Sequence, residues 1–239
     1  MIHKYRMHDT NIVLDVNSGA VHVLDDLAYE VLEHFGEAEE LIVARFSDNH
    51  GREEILEALN ELKELKEAGI GILYQGIESG NREVLRRIKK GAFPVNMKEA
   101  AAKVRESGIQ LSQTVLLGIG GTEMSMDHAR DTGKLLGEMS PDFASALTVM
   151  LLPNTELYQA YRAGTFQLPD KFGLLEELKV IVENMDVKNR CLFTSNHASN
   201  YLPIRAVLPD QKEEILDLLN QVLKKRDESL LKPEYMRAL

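Results

Sequence analysis

Short apolar runs alternate with longer helical segments between Gly71 and Leu152, and this alternation limits the possible folds more than any other part of the sequence. The apolar runs lie at residues 72–77, 109–117 and 143–152. Strands separated by helices of this length form βαβ units, and such units build a parallel sheet. Right-handed crossovers bring the carboxyl ends of the strands to one edge of the sheet. The sequence therefore predicts an α/β fold with a ligand site at that edge.

Two turns at this predicted edge carry the candidate binding residues. After the first strand, a carboxylate could accept hydrogen bonds from both hydroxyls of a ribose, and the residues there are Glu78, Ser79 and Gly80. After the second strand, three glycines would leave a shelf without side chains for adenine or the methionyl part of a cofactor. They are Gly118, Gly120 and Gly121. Ordinary βα turns have similar residues, but two such turns at one edge favour ligand binding.

Residues 1–70 predict a small module of their own. Alternating apolar arms flank a turn at Asn17-Ser18-Gly19, which indicates a β-hairpin. Helical patterns follow at residues 27–35 and 52–68. Three short strands and then helices suit a winged-helix-like module whose outer strand could bind an extended peptide. The alternative is a cap that packs on the next domain, and the residues alone favour the cap slightly.

The charge distribution bears on the partners of this module. The whole chain carries a net charge of −10, and residues 1–70 hold 6 Lys and Arg against 16 Asp and Glu, a balance of −10. Nucleic acid is disfavoured as a partner, because phosphate binding needs the opposite charge. A cationic peptide would be attracted, although an acidic surface that favours solubility explains the excess at least as well.

The sequence shows no sign of a membrane or export segment. No apolar run reaches the length of a membrane span, and the first residues lack the apolar core of a secretion signal. We therefore expect a cytoplasmic protein with no membrane partner. The single cysteine, Cys191, is consistent with a reducing compartment, and its apolar neighbours indicate a buried small side chain.

The C-terminal third is predicted to be mostly helical. Helices are expected at residues 157–163, 174–184 and 211–225, and residues 226–239 are expected to form a loosely ordered tail. Earlier in the chain, the helix that follows the turn with Gly118, Gly120 and Gly121 is expected from about Met126 to Met139, with Thr122 as its cap.

Candidate catalytic side chains are scarce. His197, in the polar loop from Thr194 to Tyr201, could be an acid–base group or a metal ligand. It lacks a second ligand at metal-binding spacing, so a loop whose side chains bond its own backbone is the better interpretation. His128 is expected at the surface. The sequence therefore indicates no catalytic and no metal-ligating residue.

Tyr5 and the run Asn11–Asp25 resemble the amino terminus of the SCIFF-peptide maturases. The similarity covers about residues 1–45, and the run LDVNSGAVHV carries it. Those maturases are radical SAM enzymes that crosslink a cysteine-rich peptide, and their first domain resembles a RiPP recognition element. The resemblance implies that residues 1–70 form a PqqD/RiPP-recognition-like module, which would bind the leader of a precursor peptide as an added strand.

A second resemblance covers about residues 55–225. Residues 74–91 and 115–123 are similar to the fourth-strand and fifth-strand regions of radical SAM proteins, and residues 147–152 to their sixth strand. The resemblance implies that residues 71–225 form the C-terminal half of a partial TIM-type barrel that binds S-adenosylmethionine. The family's ribose-contacting motif falls on Glu78, Ser79 and Gly80. Its adenine and methionyl side falls on Gly118, Gly120 and Gly121.

The family's 4Fe–4S cluster is the part that this chain does not support. Radical SAM enzymes hold the cluster through three cysteines spaced Cys-x-x-x-Cys-x-x-Cys, whereas this chain has one cysteine. The family's first three strands are also missing between the N-terminal module and residue 71. We therefore expect a truncated or recombined chain that is inactive alone and that would need a cluster-bearing partner chain.

Three functions stay open at this stage. The first is a radical-SAM-derived protein that keeps part of the S-adenosylmethionine pocket, and the second is a leader-peptide-binding module. The third is a recombined chain without function. A half barrel also leaves one strand edge open, which favours a homo-oligomer.

Overall fold

The computed structural model describes residues 2–7, 10–15, 20–24, 26–34, 37–47, 51–53, 55–56, 71–106 and 109–237. These residues form a mixed α/β fold. The chain divides into two compact units, one of Met1–Gln75 with Glu99–Ser112 and the other of Gly76–Lys98 with Gln113–Leu239. The sequence instead suggests a boundary near residue 70.

The first unit contains an antiparallel ribbon of three strands. β1 (Ile2–Met7) pairs with β2 (Thr10–Asp15), and β2 pairs with β3 (Ala20–Leu24). β1 also pairs in parallel with the start of β4 (Ile72–Glu78). The strand order β3-β2-β1-β4 leaves β3 at an edge of the sheet. The predicted hairpin arms are confirmed, and their turn lies outside the described residues.

Two short helices follow this ribbon in the first unit. α1 (Asp26–Val31) is followed by a 3-10 turn at Leu32–His34 and by α2 (Glu39–Phe46). Their apolar faces form one buried cluster, as helical spacing predicts. The cluster consists of Leu27, Ala28, Val31, Leu32, Ile42, Val43 and Ile55. The predicted helix at 52–68 lies mostly outside the described residues.

The second unit is organised on a five-stranded, mostly parallel sheet, consistent with a partial α/β barrel. The strand order is β4-β5-β6-β7-β8, and β4 and β5 begin in the first unit. The new strands are β5 (Gln110–Leu117), β6 (Phe143–Thr148), β7 (Cys191–Thr194) and β8 (Arg205–Leu208). β6 and β7 are parallel, whereas β8 runs antiparallel to β7.

The remaining helices are α3 (Arg82–Arg87), α4 (Pro94–Glu106), α5 (Gly121–Met139), α6 (Glu156–Arg162), α7 (Lys171–Asn184) and α8 (Lys212–Lys225). α5 and α7 approach closely at Gly133, where a Cβ would lie 2.4 Å from the Ile181 carbonyl oxygen. Among the helices described here, none combines the length and the apolar character that a membrane crossing requires.

Several element ends differ from the sequence-based prediction. α5 begins at Gly121 rather than Met126, and Thr122 does not cap it, because Thr122 lies within the first turn and Gly120 occupies the N-cap position. β6 ends at Thr148, four residues before the predicted end. β7 and β8 are absent from the prediction, since runs of four residues are too short for periodicity to reveal.

The last described residues make defined contacts. Two 3-10 turns, Glu228–Leu230 and Glu234–Met236, follow α8. The Arg237 guanidinium donates to the Ser199 carbonyl at 2.7 Å, and the Tyr201 hydroxyl donates to Glu234 at 2.6 Å. These contacts hold the tail, expected to be loosely ordered, against the polar loop.

Candidate functional site

β4 ends in a tight turn centred on Glu78. The Ser79 N–H donates to the Ile77 carbonyl oxygen at 2.7 Å, which closes a three-residue γ-turn. Glu78 has a φ of 60°, a left-handed conformation that residues other than glycine rarely adopt. Strained residues of this kind concentrate at ligand-binding and catalytic sites. The backbone thus singles out one of the residues that the sequence predicts for the site.

The Glu78 side chain is partly accessible and has a lysine partner. Its Oε1 accepts a hydrogen bond from Lys90 Nζ at 3.0 Å, with 21% of the glutamate and 29% of the lysine side chain exposed. A Cβ on Gly76 would lie 2.5 Å from the same oxygen, so the glycine makes room for the carboxylate. The end of β4 therefore presents a carboxylate with further acceptor capacity for a hydroxylated ligand.

Ser79 and Gly80 are buried and hold this turn against α5. The Ser79 Oγ lies 2.7 Å from Nδ1 of His128, and the Gly80 N–H donates to Thr132 Oγ1 at 2.8 Å. A Cβ on Gly80 would lie 2.3 Å from the Asp131 carbonyl oxygen. Glycine is therefore required at position 80 by the close approach of the turn to the helix.

The glycines after β5 are packed against other parts of the second unit. Gly118 and Gly121 have φ angles of 83° and 63°. A Cβ on Gly118 would lie 2.7 Å from Leu168 and 2.9 Å from Leu174, and one on Gly121 would lie 3.0 Å from Phe166. On the side of the missing Cβ atoms, the predicted shelf is thus covered by the residues before α7 and by α7 itself.

His128 joins the two turns. Nδ1 of His128 lies within hydrogen-bond distance of the Ser79 hydroxyl, and a Cβ on Gly120 would lie 3.2 Å from the Cβ of His128. The expectation that His128 lies at the surface is wrong, because the residue is completely buried. It belongs to the buried stripe of α5, which contains Ser125, His128, Ala129, Thr132, Leu136 and Met139. That spacing of three and four residues is a signal that the sequence did offer.

A buried carboxylate from α7 completes this arrangement. Glu177 accepts the Gly118 N–H at Oε1 and the Ser125 hydroxyl at Oε2, each at 2.6 Å. Nε2 of His128 lies 3.2 Å from Oε1, a distance that suits a hydrogen bond, although the angle is poor for one. No local pattern points to Glu177, because 59 positions separate it from Gly118.

The polar loop closes the end of β6. The Asn200 amide donates to the carbonyl oxygens of Ala146 and Ser195 at 2.8 and 2.9 Å. The Ser199 hydroxyl accepts the Thr148 N–H at 3.1 Å and lies 2.9 Å from Nδ1 of His197. The loop therefore satisfies backbone groups, its own included, as its serine and asparagine side chains predict.

A cavity of about 460 Å³ lies between the starts of α5 and α7. Its walls include Thr122, Ser125, Leu168 and Glu176, and Leu168 also contacts the position of the missing Cβ of Gly118. The cavity therefore adjoins the β5 turn, and the six predicted site residues are not among those that line it.

The residues present do not fit a 4Fe–4S cluster of the family type. Burial, and then the charge of Asp142, raise the pKa of the single cysteine, Cys191, to about 12. A cluster ligand must be a thiolate, and the family uses three of them. Within the described ranges, no group of three His, Cys, Asp or Glu side chains is placed to hold a metal ion.

Comparisons with known proteins give a distant structural likeness. No protein-family model matches the chain, and no curated protein matches it. Twelve chains of solved structures match, among them the archaeal Methanocaldococcus infernus Elp3 with an N-terminal deletion of residues 1–46. The identity to that Elp3 is 16% and the TM-score is 0.49, over 70% of this chain and 39% of the Elp3 chain. At this level of similarity, the description of the fold rests on the chain's own strands and helices.

Proposed function

We propose that the chain derives from radical SAM proteins and keeps the nucleoside-binding part of an S-adenosylmethionine pocket. In this proposal Glu78 accepts hydrogen bonds from the ribose hydroxyls, while Ser79 and Gly80 hold its turn. One observation carries the proposal: the strained centre of the γ-turn is the same glutamate that the sequence motif singles out. Backbone strain held by surrounding packing is typical of a pre-organised ligand site.

The contacts of Glu78 support a role in binding a diol. Lys90 holds the carboxylate through Oε1, and the buried Ser79 and Gly80 anchor the turn to α5. A carboxylate has about four lone-pair positions, so a ribose could be accepted beside the lysine. Because the turn is already in place, little ordering would be needed on binding.

The glycines of the β5 turn take a different role in this proposal. Leu168, Leu174 and Phe166 fill the space next to two of them. On the faces that these side chains leave uncovered, Gly118, Gly120 and Gly121 would line the adenine and methionyl side with backbone atoms only. We do not assign reductive cleavage of S-adenosylmethionine to this chain alone, since its one cysteine is buried. A cluster-bearing partner chain would have to supply the cluster.

Calorimetry with S-adenosylmethionine tests the proposal. We expect saturable binding to the full chain and an affinity at least about tenfold lower for Glu78→Ala, because the charged hydrogen bonds to the ribose are lost. Glu123→Ala is the matched control, since its side chain is 74% exposed and bound to Arg87. Absence of binding at millimolar ligand, or equal affinity of wild type and Glu78→Ala, would remove the proposal.

A second candidate function is peptide binding by a winged-helix-like, RiPP-recognition-like module in the first unit. The observation that favours it is the position of β3 at the sheet edge, where a strand has unpaired backbone groups. A leader peptide could add to this edge as a further strand. The acidic charge of residues 1–70 would favour a cationic precursor peptide.

Hydrogen exchange on the full chain tests the second function. A cationic, cysteine-rich peptide should slow amide exchange in Ala20–Leu24, whereas a peptide of the same composition in scrambled order should not. Equal protection by both peptides would point to unspecific charge attraction. Protection by the specific peptide without any effect of S-adenosylmethionine would favour this function over the first.

A further inference from the structure

Three side chains without exposed surface connect the two turns of the candidate site. Ser79 follows Glu78, His128 lies on α5, and Glu177 lies on α7. The Ser79 Oγ is 2.7 Å from Nδ1 of His128, and Nε2 of the same ring is 3.2 Å from Glu177 Oε1. The imidazole thus bridges a hydroxyl of the β4 turn and a carboxylate of α7.

Both ends of this bridge hold backbone of the candidate site. At one end, the Ser79 Oγ accepts the Asn81 N–H at 3.0 Å, which fixes the chain after Glu78. At the other end, Glu177 accepts the Gly118 N–H at 2.6 Å, which fixes the start of the β5 turn. Ser125 adds its hydroxyl to the second oxygen of Glu177.

We propose that His128 is a positioning residue that couples the β4 turn to the β5 turn through Ser79 and Glu177. The consequence for ligand binding rests on the proposed function, because the coupled turns are the proposed nucleoside site. His128 is held to Ser79 by a hydrogen bond and places its other nitrogen against the Glu177 carboxylate, so the ring is fixed between the two buried groups. Removing one partner of such a buried pair is strongly destabilising. A substitution at Ser79 should therefore change the effect on stability of a substitution at Glu177, and the reverse.

A double-mutant cycle tests the coupling without any ligand. Ser79→Ala, Glu177→Gln and the double variant are compared with wild type by urea unfolding of the full chain. Ser79 and Glu177 both contact His128. If they are coupled through it, the fold-reduction of the folding constant in the double variant should be smaller than the product of the two single fold-reductions, by about fivefold or more. Additivity within about twofold would overturn the proposal.

The neighbouring glutamate on α7 provides the matched control. Glu176 is exposed and lies 3.8 Å from Arg226, so Ser79→Ala and Glu176→Gln should be additive. If Glu177→Gln does not fold, Ser125→Ala replaces it, because it removes one donor to the same carboxyl group while leaving that group in place. A coupling of equal size in the Glu176 cycle would also overturn the proposal, since it would reflect a general effect of α7.

Titration with S-adenosylmethionine extends the test to the site. Glu177→Gln should weaken binding about fivefold or more although it leaves Glu78 unchanged, and Glu176→Gln should bind as wild type does. Unchanged affinity in Glu177→Gln would overturn the positioning role. If wild type itself binds no S-adenosylmethionine, the proposed function fails, while the unfolding cycle still decides whether the turns are coupled.

Discussion

Each unit places a histidine next to a glutamate, and the two pairs differ in their access to solvent. In the first unit, Oε1 of Glu37 lies 3.0 Å from Nδ1 of His34 and binds the Lys103 ammonium. The side chains of His34 and Lys103 are 20% and 12% exposed. In the second unit, His128 and Glu177 are 3.2 Å apart and neither is exposed.

The two pairs also differ in the groups that surround them: charged side chains lie beside the first pair, and a backbone N–H and hydroxyl groups lie beside the second. Burial, together with the charges of Lys103 and Arg45, lowers the pKa of His34. Burial alone would raise the pKa of Glu37, but the hydrogen bond and charge of Lys103, with Arg45, outweigh it and lower that pKa. Glu37, Lys103 and Arg45 therefore form an ion cluster beside His34. The second pair is closed by a backbone N–H and by hydroxyl groups, which suits a positioning role.

Removing the carboxylate of the buried His128–Glu177 pair should have the largest effect on stability. Glu177→Ala is expected to destabilise the chain by about 3–5 kcal/mol, because the buried Gly118 N–H and Ser125 hydroxyl lose their acceptor and His128 loses the neighbouring carboxylate. Urea unfolding measures this change. Glu176→Ala should stay within about 0.5 kcal/mol of wild type. A loss from Glu177→Ala no larger than that of the control would contradict the difference between the two pairs.

Neutralising the glutamate of the partly exposed His34–Glu37 pair should have a smaller effect on stability. Glu37→Gln is expected to lower the free energy of unfolding by about 1.5–3 kcal/mol, since it removes a hydrogen bond between charged groups at a side chain that is 6% exposed. Glu40→Gln, at an exposed position in the first turn of α2, three residues further along the chain, is the control and should change little. A loss as large as that of Glu177→Ala would erase the distinction between the pairs.

The fit of the β4 turn against α5 can be tested by a single methyl group. Gly80→Ala should destabilise by about 1–3 kcal/mol, because the new Cβ would lie 2.3 Å from the Asp131 carbonyl oxygen and the backbone must move. Gly71→Ala meets nothing within 4 Å and is the matched control. Thermal unfolding of both variants measures the difference, and equal midpoints would show that the turn is not tightly packed.

The contribution of His34 to the pH dependence of stability should be the smallest effect. The unfolded chain binds a proton on His34 as the pH falls through about 6.5, whereas the folded chain, with its lowered pKa, binds it only at lower pH. Stability present above that pH is therefore lost on acidification. His34→Asn should reduce the slope of stability against pH between about pH 7 and 5. An unchanged slope would assign the titration to other groups.

The sequence predicts the elements with strong patterns and misses those that depend on distant contacts. β4 and β5 are found within about one residue of their observed ends, because apolar runs between glycine turns are informative. β7 and β8 are missed because four residues give no period. The burial of His128 is missed because a titratable side chain usually indicates solvent, although Ser125 and Thr132, three positions before and four after it, are buried on the same face.

The sequence places the candidate site residues at strand ends but does not reveal how they are packed. The motif residues do lie at strand ends, and Ser79 and Gly120 meet at one histidine. The side chains that cover Gly118 and Gly121 come from residues 166–174, far along the chain, so no local pattern could reveal them. Glycines that look open in a sequence are often needed for close packing within the protein.

The most direct test of the central claim follows the backbone amides of the β4 turn by NMR while S-adenosylmethionine is added. If Glu78 binds the ribose, the amide signals of Glu78, Ser79 and Gly80 should shift and saturate together, and Glu78→Gln should abolish the shifts while its spectrum otherwise matches wild type. Amide signals of this turn that stay fixed up to millimolar ligand, or that shift equally in Glu78→Gln, would contradict the account.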